Sequence, residues 1–435
     1  MSKRVVIIGG GFSGLAAGVA LSERGHHVHL FERRNHLGGR AYSFTDPKSG
    51  DQVDNGQHLF MRCYSNTVAF LDKIGCLDKL QFQDKTQIEF LDREGRDRFE
   101  CPSLPAPLHV LAGLLRMKGL TLQDKARLLR LGSALRNGSG GDLTVTRWLE
   151  SLGQSENIRR RFWTPLVVAT LNESPDTASA RMLKVVLREA FDGGRWASNI
   201  GISRVGLSEL YTEGARTFIE AHGGRISTGS QIARLHIKDG LSRAVDLKDG
   251  DEIEGDFFIS AVTPEAFLQI LPGDLRDREF SQLAQLESSP IVSINLWFDR
   301  PVTDRAFIGL LGTRIQWLFN KDAILRRGGN SNQIALIISA ARGFVNWTRE
   351  TLVEMAITEL NQLLPETRSA RLVHSVIVKE RDATISHSVE SDKLRPAAGT
   401  SISNLILAGD WTNTGLPATI ESAVLSGNLA ANLVE

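Results

Sequence analysis

The sequence predicts an α/β fold in which a Rossmann-like, dinucleotide-binding domain is interleaved with an α+β domain. Three observations predict it. An apolar, β-branched run at 5–8 leads into a glycine-rich turn at 9–14. Two Asp-Gly turns, at 239–240 and 249–250, separate strand-like segments and predict an antiparallel meander inserted in the parallel sheet. An apolar run at 405–410 ends in Gly-Asp and precedes a helical pattern.

The first motif has the order of a nucleotide-binding β-α-β unit. Gly9, Gly11 and Gly14 have the G-x-G-x-x-G spacing directly after the apolar run. In such a unit the first glycine permits the turn, the second lets backbone approach a pyrophosphate, and the third lets the helix pack on the sheet. The spacing alone is weak evidence, because 40 glycines in 435 residues also produce it by accident. Here strand, turn, helix and second strand follow in order.

Glu32 ends the second strand, eighteen residues after Gly14, where a carboxylate can bind both ribose hydroxyls. Its charge would repel a 2′-phosphate. The chain continues with Arg34 and then a second glycine pair and an arginine, at 38–40. These residues can contact the far side of a longer dinucleotide, which favours FAD over NAD.

Composition limits the other possibilities. With 51 Lys and Arg against 50 Asp and Glu, nothing indicates a nucleic-acid partner. Three cysteines without metal-ligand spacing (Cys63, Cys76 and Cys101) predict no metal site and a reducing compartment. The apolar stretch at 5–21 is interrupted by glycines and is explained by the strand-turn-helix unit rather than by a signal peptide. We therefore expect a cytoplasmic protein, either soluble or peripheral on the inner face of the membrane.

The chain length predicts two domains. The expected dinucleotide-binding domain is discontinuous, with segments 1–62, 206–275 and 395–435, and the expected substrate domain comprises 63–205 and 276–394. In the first domain we expect a helix at 208–221 and meander strands at 225–237, 241–247 and 253–261, the last of which rejoins the parallel sheet. In the second we expect helices at 64–80, 145–152, 157–171, 179–191 and 348–364, and strands at 291–298, 314–319, 333–339 and 372–378.

The segment 102–136 has two open interpretations. The segment contains six basic residues but only one acidic residue, Asp124, and leucines precede the basic residues. The basic residues are Arg116, Lys118, Lys125, Arg127, Arg130 and Arg136. A basic amphipathic segment of this kind can lie on a membrane surface. The alternative is an ordinary helical pair that covers the substrate domain, continuing through Arg136 to a flexible break at 137–142.

Several stretches resemble a known superfamily. The pattern E-x-R-x-x-x-G-G-R, formed by Glu32, Arg34, Gly38, Gly39 and Arg40, resembles that of flavin amine oxidases and phytoene desaturases. Within this superfamily, the stretches 54–58, 104–109, 379–384, 407–412 and 416–421 are similar to the hydroxysqualene dehydroxylases, over nearly the whole chain. Asp382 departs from the pattern, because a basic residue usually stands there, and this puts any role for that position in doubt.

The resemblance implies an amine-oxidase-like fold and a set of FAD contacts. It implies that Gly56, Gln57 and His58 lie near the isoalloxazine ring and that Ile232 contacts the adenine. The superfamily members that tether flavin use a C-terminal cysteine, which is missing here, so the FAD should be non-covalent.

At the C-terminus, the resemblance implies that Gly409 and Asp410 lie at the ribityl chain. It also implies that the N-terminus of the last helix, near Thr419 and Ile420, points at flavin N1 and the C2 carbonyl. There the helix dipole would stabilise the negative charge of reduced flavin.

The implied reaction is reduction of hydroxysqualene to squalene in bacterial squalene and hopanoid synthesis, on a hydrophobic C30 substrate. His58, or a water on Gln57, is the candidate proton donor. No second G-x-G-x-x-G follows a strand, so NAD(P)H would reach the flavin directly or a partner protein would reduce it. Upstream enzymes of the pathway and the membrane surface are the expected partners.

Three other functions stay open. A phytoene-desaturase-type enzyme would run the hydride step in the opposite direction. A small-amine oxidase is less favoured, because no aromatic cage or tethering cysteine is evident. A non-catalytic, FAD-stabilised scaffold on the membrane would leave the complete set of flavin motifs unexplained.

Overall fold

The computed structural model describes residues 1–128, 142–325 and 331–434. Two main sheets, one parallel and one mixed, organise these residues. Most of the predicted break at 137–142, together with Arg130 and Arg136, lies outside the described residues.

The parallel sheet brings together three distant parts of the chain. Its five strands, in spatial order, are Arg225–Thr228, His27–Glu32, Arg4–Ile8, Phe257–Ser260 and Leu405–Leu407. In the central strand, Val5 and Ile7 join the buried cluster on one face and Val6 and Ile8 join that on the other. The strand is apolar at these successive positions because both faces of the sheet are covered.

Three helices cover one face of this sheet: Phe12–Glu23, Leu207–Ala221 and Ile420–Ala431. The first and last helices pack closely, since a Cβ on Gly427 would lie only 2.3 Å from the carbonyl oxygen of Ser13. This contact fixes the C-terminal helix against the helix that follows the glycine-rich turn.

The opposite face is covered by the antiparallel meander Ile232–Lys238, Leu241–Leu247 and Glu252–Glu254. The prediction of single strands at 225–237 and 253–261 was wrong, because each range holds two strands that belong to different sheets. Gly229 adopts φ +71° and its N–H donates to Arg34 O, so the chain turns there from the parallel sheet into the meander.

The second sheet has seven strands. In spatial order they are Leu372–Ile385, Ser288–Phe298, Gln333–Ile338, Trp317–Asn320, Phe307–Leu310, Gln87–Asp92 and Gly95–Glu100. Neighbours are antiparallel except Phe307–Leu310 with Gln87–Asp92. The helix Arg349–Leu363 packs on one face, and the helical region within 108–192 packs on the other.

The hairpin Gln87–Asp92 and Gly95–Glu100 was not predicted. Its outer strand alternates charged and buried residues over only six positions, which gives a weak sequence signal. Asp92 stabilises the turn, because its Oδ1 accepts hydrogen bonds from Glu94 N and Gly95 N.

The remaining elements are two small sheets, further helices and short turns. Small sheets contain Leu59–Met61, Ile200–Ser203 and Leu80–Phe82, and Ser43–Thr45 with Gln52–Asp54. The other helices are Ser65–Lys73, Leu108–Arg116, Leu122–Leu128, Val145–Ser151, Glu156–Ile158, Thr164–Leu171, Ala180–Asp192, Pro264–Ile270, Gly273–Glu279, Lys321–Leu325 and Ser391–Leu394, with a π-helical turn at Arg159–Trp163. Short 3₁₀ turns are Leu77–Lys79, Ser281–Gln285, Ala341–Gly343 and Pro365–Arg368.

One predicted helix is shorter than expected. The helix expected at 64–80 ends at Lys73, because Gly75 takes φ +68° and turns the chain. The helical pair expected in 102–136 begins with Leu108–Arg116 and Leu122–Leu128, and between them Asp97 accepts hydrogen bonds from Lys118 N and Gly119 N. The expected continuation from 129 through Arg136 lies outside the described residues. Within the described ranges, no helix has the length and hydropathy needed to cross a bilayer.

Candidate active site

A cavity of about 450 Å³ is lined by residues of both main sheets. One group of lining residues comes from the glycine-rich turn, from 32–41 and from the C-terminal segment 409–420. The other group is apolar and forms what we call the apolar chamber, which includes Phe90, Phe99, Phe162, Leu166, Ile200 and Trp317. The cavity therefore joins a polar, glycine-rich wall to a hydrophobic one.

Each glycine of the first motif meets a different constraint. Gly9 has φ +109°, and a Cβ there would lie 2.8 Å from Ala261 O. A Cβ on Gly14 would lie 1.9 Å from Gly9 O, so Gly14 is required for packing and does not line the cavity. Gly11 lies on the cavity wall, and a Cβ there would approach only Gly39, at 3.7 Å. The space beside Gly11 is thus open to a ligand.

The second glycine pair lies directly beside the first motif. Gly38 and Gly39 have φ +126° and +57°, and Gly38 N donates to Gly10 O at 2.9 Å. We call residues 9–11 and 38–39 the glycine cradle, because their backbones approach each other on the cavity wall. Arg34 Nη1 donates to Gly39 O at 3.0 Å and orients this loop.

Glu32 also lies on the cavity wall and is 6% exposed. Its Oε2 accepts a hydrogen bond from Gly10 N at 2.8 Å, and its Oε1 accepts one from Arg34 N at 2.9 Å. These bonds fix the carboxylate beside the glycine cradle, where its remaining lone pairs can accept hydrogen bonds from ribose hydroxyls.

Arg40 links the N-terminal loop to the C-terminal segment. Its Nη2 donates to Asp410 Oδ1, and its Nη1 donates to Ala383 O at 3.2 Å. Burial opposes the charge of Arg40, but Asp410 outweighs burial and raises the pKa of the guanidinium above its usual value. Both side chains line the cavity.

The start of the last helix faces the same cavity. Thr419 caps it by accepting a hydrogen bond from Ser422 N, and Ile420 is its first residue. First-turn N–H groups have no intrahelical acceptor, so this end of the helix can bind a partly negative ligand group. Gly409, with φ +145°, and Ile232 also line the cavity.

Two buried residues that the sequence analysis missed hold the C-terminal loop. Arg395 donates to the carbonyl oxygens of Asp410, Thr412 and Leu416 at 2.9, 2.6 and 2.7 Å. His387 Nε2 accepts from Ala418 N at 2.6 Å, so its proton lies on Nδ1, which faces Asp392 at 3.1 Å. In the sequence, His387 and Arg395 are marked only as basic residues that precede the Gly-Asp pair at 409–410. Many surface residues are basic as well, so this feature does not identify them.

Gln57 and His58 lie on the cavity wall, and so does Gly56. His58 Nδ1 donates to Gly56 O at 2.9 Å. Burial lowers the pKa of His58 and outweighs the opposing effects of this bond and of Asp54. The lowered pKa favours the neutral form of the ring, and the role of His58 as proton donor stays a prediction.

A buried ion pair that the sequence analysis also missed supports Gln57. Lys321 Nζ, on a side chain 1% exposed, lies 2.6 Å from Asp54 Oδ2 and 2.8 Å from Gln57 Oε1. Burial raises the pKa of Asp54, but Lys321, together with hydrogen bonds from Ser43 and Leu207, outweighs burial and lowers it.

Asp382, which departs from the pattern of the similar family, is exposed and does not line the cavity.

The fold and the cavity, in which the glycine cradle adjoins the apolar chamber, suit the class of oxidoreductases that bind a dinucleotide. A family model described as "Flavin containing amine oxidoreductase" matches residues 12–434, nearly the whole chain. The chain therefore belongs to the flavin containing amine oxidoreductase family, and it is a flavin-dependent oxidoreductase. The residues present fit a flavin dinucleotide, because the cradle leaves space at Gly11 and a helix N-terminus faces the same cavity.

Two of the similar proteins show which members of this family the chain resembles. A hydroxysqualene dehydroxylase from Sinorhizobium fredii is 31% identical over 437 residues, which cover 100% of this chain and 98% of that protein. This confirms the resemblance inferred from the sequence. A 15-cis-phytoene desaturase from Narcissus pseudonarcissus is 26% identical over 452 residues, covering 99% of this chain and 79% of that protein.

Among solved structures, an oxidoreductase from Methanosarcina mazei superposes with a TM-score of 0.76. The match covers 98% of this chain and 99% of that chain at 18% sequence identity. Together with the family match, this similarity confirms the predicted fold class.

Proposed function

We propose that this protein is an FAD-dependent dehydroxylase that reduces hydroxysqualene to squalene. The observation that carries the proposal is the single cavity in which the glycine cradle meets the apolar chamber. A long hydrocarbon can bury its surface against the aromatic and aliphatic side chains, while the polar wall holds the dinucleotide. The relative named hydroxysqualene dehydroxylase supports the choice of substrate.

The reaction balances as one hydride and one proton added to the alcohol, which gives squalene and water. The allylic C–O bond breaks, the oxygen leaves as water, and a C–H bond forms at the same carbon. Reduced FAD, when bound, supplies the hydride. Departure of the hydroxyl leaves an allylic cation on the substrate, and delocalisation stabilises it.

The chain's own side chains orient the substrate and exclude water. Phe90, Phe99, Phe162 and Trp317 present apolar surface that excludes water from the cation. Because burial keeps His58 neutral, we place the proton donor at a water molecule bound to Gln57.

FAD is held without a covalent bond in this proposal. All three cysteines are free thiols, and none of them lines the cavity. Burial, with smaller effects from Glu189 and Glu421, raises the pKa of Cys63 to about 12, so this thiol is a poor nucleophile at neutral pH. We assign the electron supply to NAD(P)H that reaches the flavin directly, or to a partner reductase.

We also propose that residues 104–122 contact an anionic lipid surface. Leu104, Leu108, Leu115 and Leu122 are 40%, 54%, 37% and 85% exposed, although they are large apolar residues. The exposed Arg116 and Lys118 lie in the same segment. Exposed leucines beside basic residues suit the interface of a bilayer, where a C30 substrate is dissolved. Leu114, another leucine of this segment, is buried.

Phytoene-desaturase-type chemistry is the second candidate, supported by the 26% identical relative. The test is anaerobic incubation of holoprotein with a panel of C30 alcohols and C40 polyenes, followed by mass spectrometry. Reduced holoprotein should convert hydroxysqualene to squalene and leave polyenes unchanged. Desaturated polyene formed by oxidised holoprotein, without squalene formation, would contradict the proposal.

A further inference from the structure

We infer that Gln57 and His58 form a subsite for a hydroxyl group, and that Lys321 is the positioning residue that fixes the Gln57 amide as a donor toward the cavity. This inference rests on the proposed function, because it assigns the recognition of the alcohol to particular atoms. It goes beyond that function by stating how an apolar cavity distinguishes an alcohol from a hydrocarbon.

The orientation of Gln57 follows from the chemistry of Lys321. An ammonium group can only donate, so the Gln57 atom 2.8 Å from Lys321 Nζ must be the carbonyl oxygen Oε1. The NH₂ group then points away from Lys321. Among the described residues it has no hydrogen-bond acceptor, and Gln57 lies on the cavity wall. Gln57 therefore offers donors to whatever occupies the cavity.

Lys321 is itself held in one position. Asp54 binds its ammonium, and the second oxygen of Asp54 accepts hydrogen bonds from Ser43 Oγ at 2.6 Å and Leu207 N at 3.1 Å. Lys321 and Asp54 are 1% and 5% exposed. Desolvating both charges is costly, and a buried ion pair commonly adds little net stability. A role in orienting Gln57 accounts for the presence of this ion pair next to Gln57, although neither Lys321 nor Asp54 lines the cavity.

His58 supplies the complementary group. A carbonyl oxygen can only accept, so the ring nitrogen 2.9 Å from Gly56 O must be protonated Nδ1. In the neutral ring, Nε2 is then an acceptor, and among the described residues it has no hydrogen-bond donor. Gln57 and His58 are adjacent in sequence and line the same cavity, so neighbouring residues of its wall supply one donor and one acceptor.

A hydroxyl group matches this pair, because it accepts one hydrogen bond and donates another. The departing water can make the same two bonds. A hydrocarbon leaves both protein groups unpaired in an otherwise apolar site, which disfavours its binding. The subsite should therefore favour hydroxysqualene over its product squalene and over a polyene without a hydroxyl.

The test measures binding without turnover. Oxidised holoprotein has no hydride to give, so hydroxysqualene and squalene can each be titrated while the flavin absorbance is followed. We expect the wild type to bind the alcohol more tightly, and Gln57→Leu to weaken alcohol binding about 10- to 100-fold with little change for squalene. An unchanged ratio of the two affinities in Gln57→Leu would overturn the inference.

Variants of Lys321 test the positioning role. Lys321→Met should weaken alcohol binding to a similar extent, because the amide can then rotate. Since this change leaves Asp54 buried without its partner, Gln57→Glu provides a second test: it keeps a partner for Lys321 but presents no donor, and should also lose the preference. Arg314→Met is the matched control, because Arg314 pairs with the buried Glu359 and does not line the cavity. A preserved preference in Gln57→Glu would overturn the role of the donor.

The outcomes separate this inference from the proposed function. Squalene formation by the wild-type enzyme, together with an unchanged alcohol preference in Gln57→Leu, would leave the function standing and remove the subsite. A preference for alcohols that depends on Gln57, in a protein that forms no squalene, would keep the subsite and remove the proposed reaction.

Discussion

Arg40 and Asp410, 370 positions apart in the chain, are joined by a hydrogen-bonded ion pair on the wall of the cavity. Arg40 follows the second glycine pair, and Asp410 follows the last strand of the parallel sheet. The pair therefore ties the two ends of the chain together at the place where the dinucleotide is proposed to bind.

Removing this pair should weaken FAD binding. In Asp410→Ala the Arg40 guanidinium loses its carboxylate, and we expect FAD affinity to fall about 10- to 100-fold and the free energy of unfolding to fall by about 1–3 kcal/mol. Fluorescence titration of the apoprotein with FAD and urea unfolding measure the two effects. Asp299→Asn is the control, because Asp299 forms exposed ion pairs with Arg300 and Arg371 and does not line the cavity. Wild-type affinity in Asp410→Ala would contradict the assignment.

Two glycines of the first motif should respond differently to alanine. A methyl group on Gly11 has room in the protein, so the FAD-free form of Gly11→Ala should unfold at the same midpoint temperature as the FAD-free wild type. The variant should not bind FAD, because the methyl group fills the open space at the cradle. A methyl group on Gly14 would meet Gly9 O at 1.9 Å, so Gly14→Ala should unfold more readily whether or not FAD is present. Differential scanning calorimetry with and without FAD distinguishes them. Equal FAD occupancy in Gly11→Ala and the wild type would refute the role of Gly11.

The sequence predicted those parts of the site that depend on local geometry. Gly9, Gly14 and Gly38 were identifiable because each meets a backbone constraint that a short pattern encodes. Except for Gly14, every predicted site residue lies on the cavity wall. Their roles in binding FAD stay predictions, since the cofactor contacts follow from resemblance.

The rest depended on contacts between distant segments. Lys321 acts through partners 264 and 267 residues away, and His387 and Arg395 through loop backbone 31 and 15 residues away, so no short pattern marks them. The break at Gly229 was missed because the residues on both sides of it favour strands, and only sheet pairing shows that they belong to two sheets. Burial, which lowers the pKa of His58, cannot be deduced from one residue type, and the role proposed for His58 stays a prediction.

His29 should make the fold sensitive to acid. Burial, with a smaller contribution from Arg225, lowers the pKa of His29 to about 4, against about 6.5 in the unfolded chain. Between these values the unfolded state takes up a proton that the folded state does not, so this contribution to stability is complete above pH 6.5 and is lost as the pH falls toward 4. Tm measured across this range should fall less steeply in His29→Gln. The same slope in both proteins would contradict the shift.

The exposed leucines should control binding to lipid. Leu108→Asp and Leu122→Asp should each weaken sedimentation with vesicles containing anionic lipid, because each removes apolar surface and adds a repelled charge. Val373→Asp is a matched control, since Val373 is 54% exposed, as is Leu108, and lies on a strand of the seven-stranded sheet. Equal losses in Val373→Asp and Leu108→Asp would show that the effect is not specific to the segment 104–122.

In the proposed reaction, FAD held between the two ends of the chain passes a hydride to an allylic alcohol in the apolar chamber. An anaerobic titration of photoreduced holoprotein with hydroxysqualene, following the flavin spectrum, tests this hydride transfer. We expect one equivalent of the alcohol to restore the oxidised flavin spectrum and to yield one equivalent of squalene. Flavin that stays reduced in the presence of excess hydroxysqualene would contradict it.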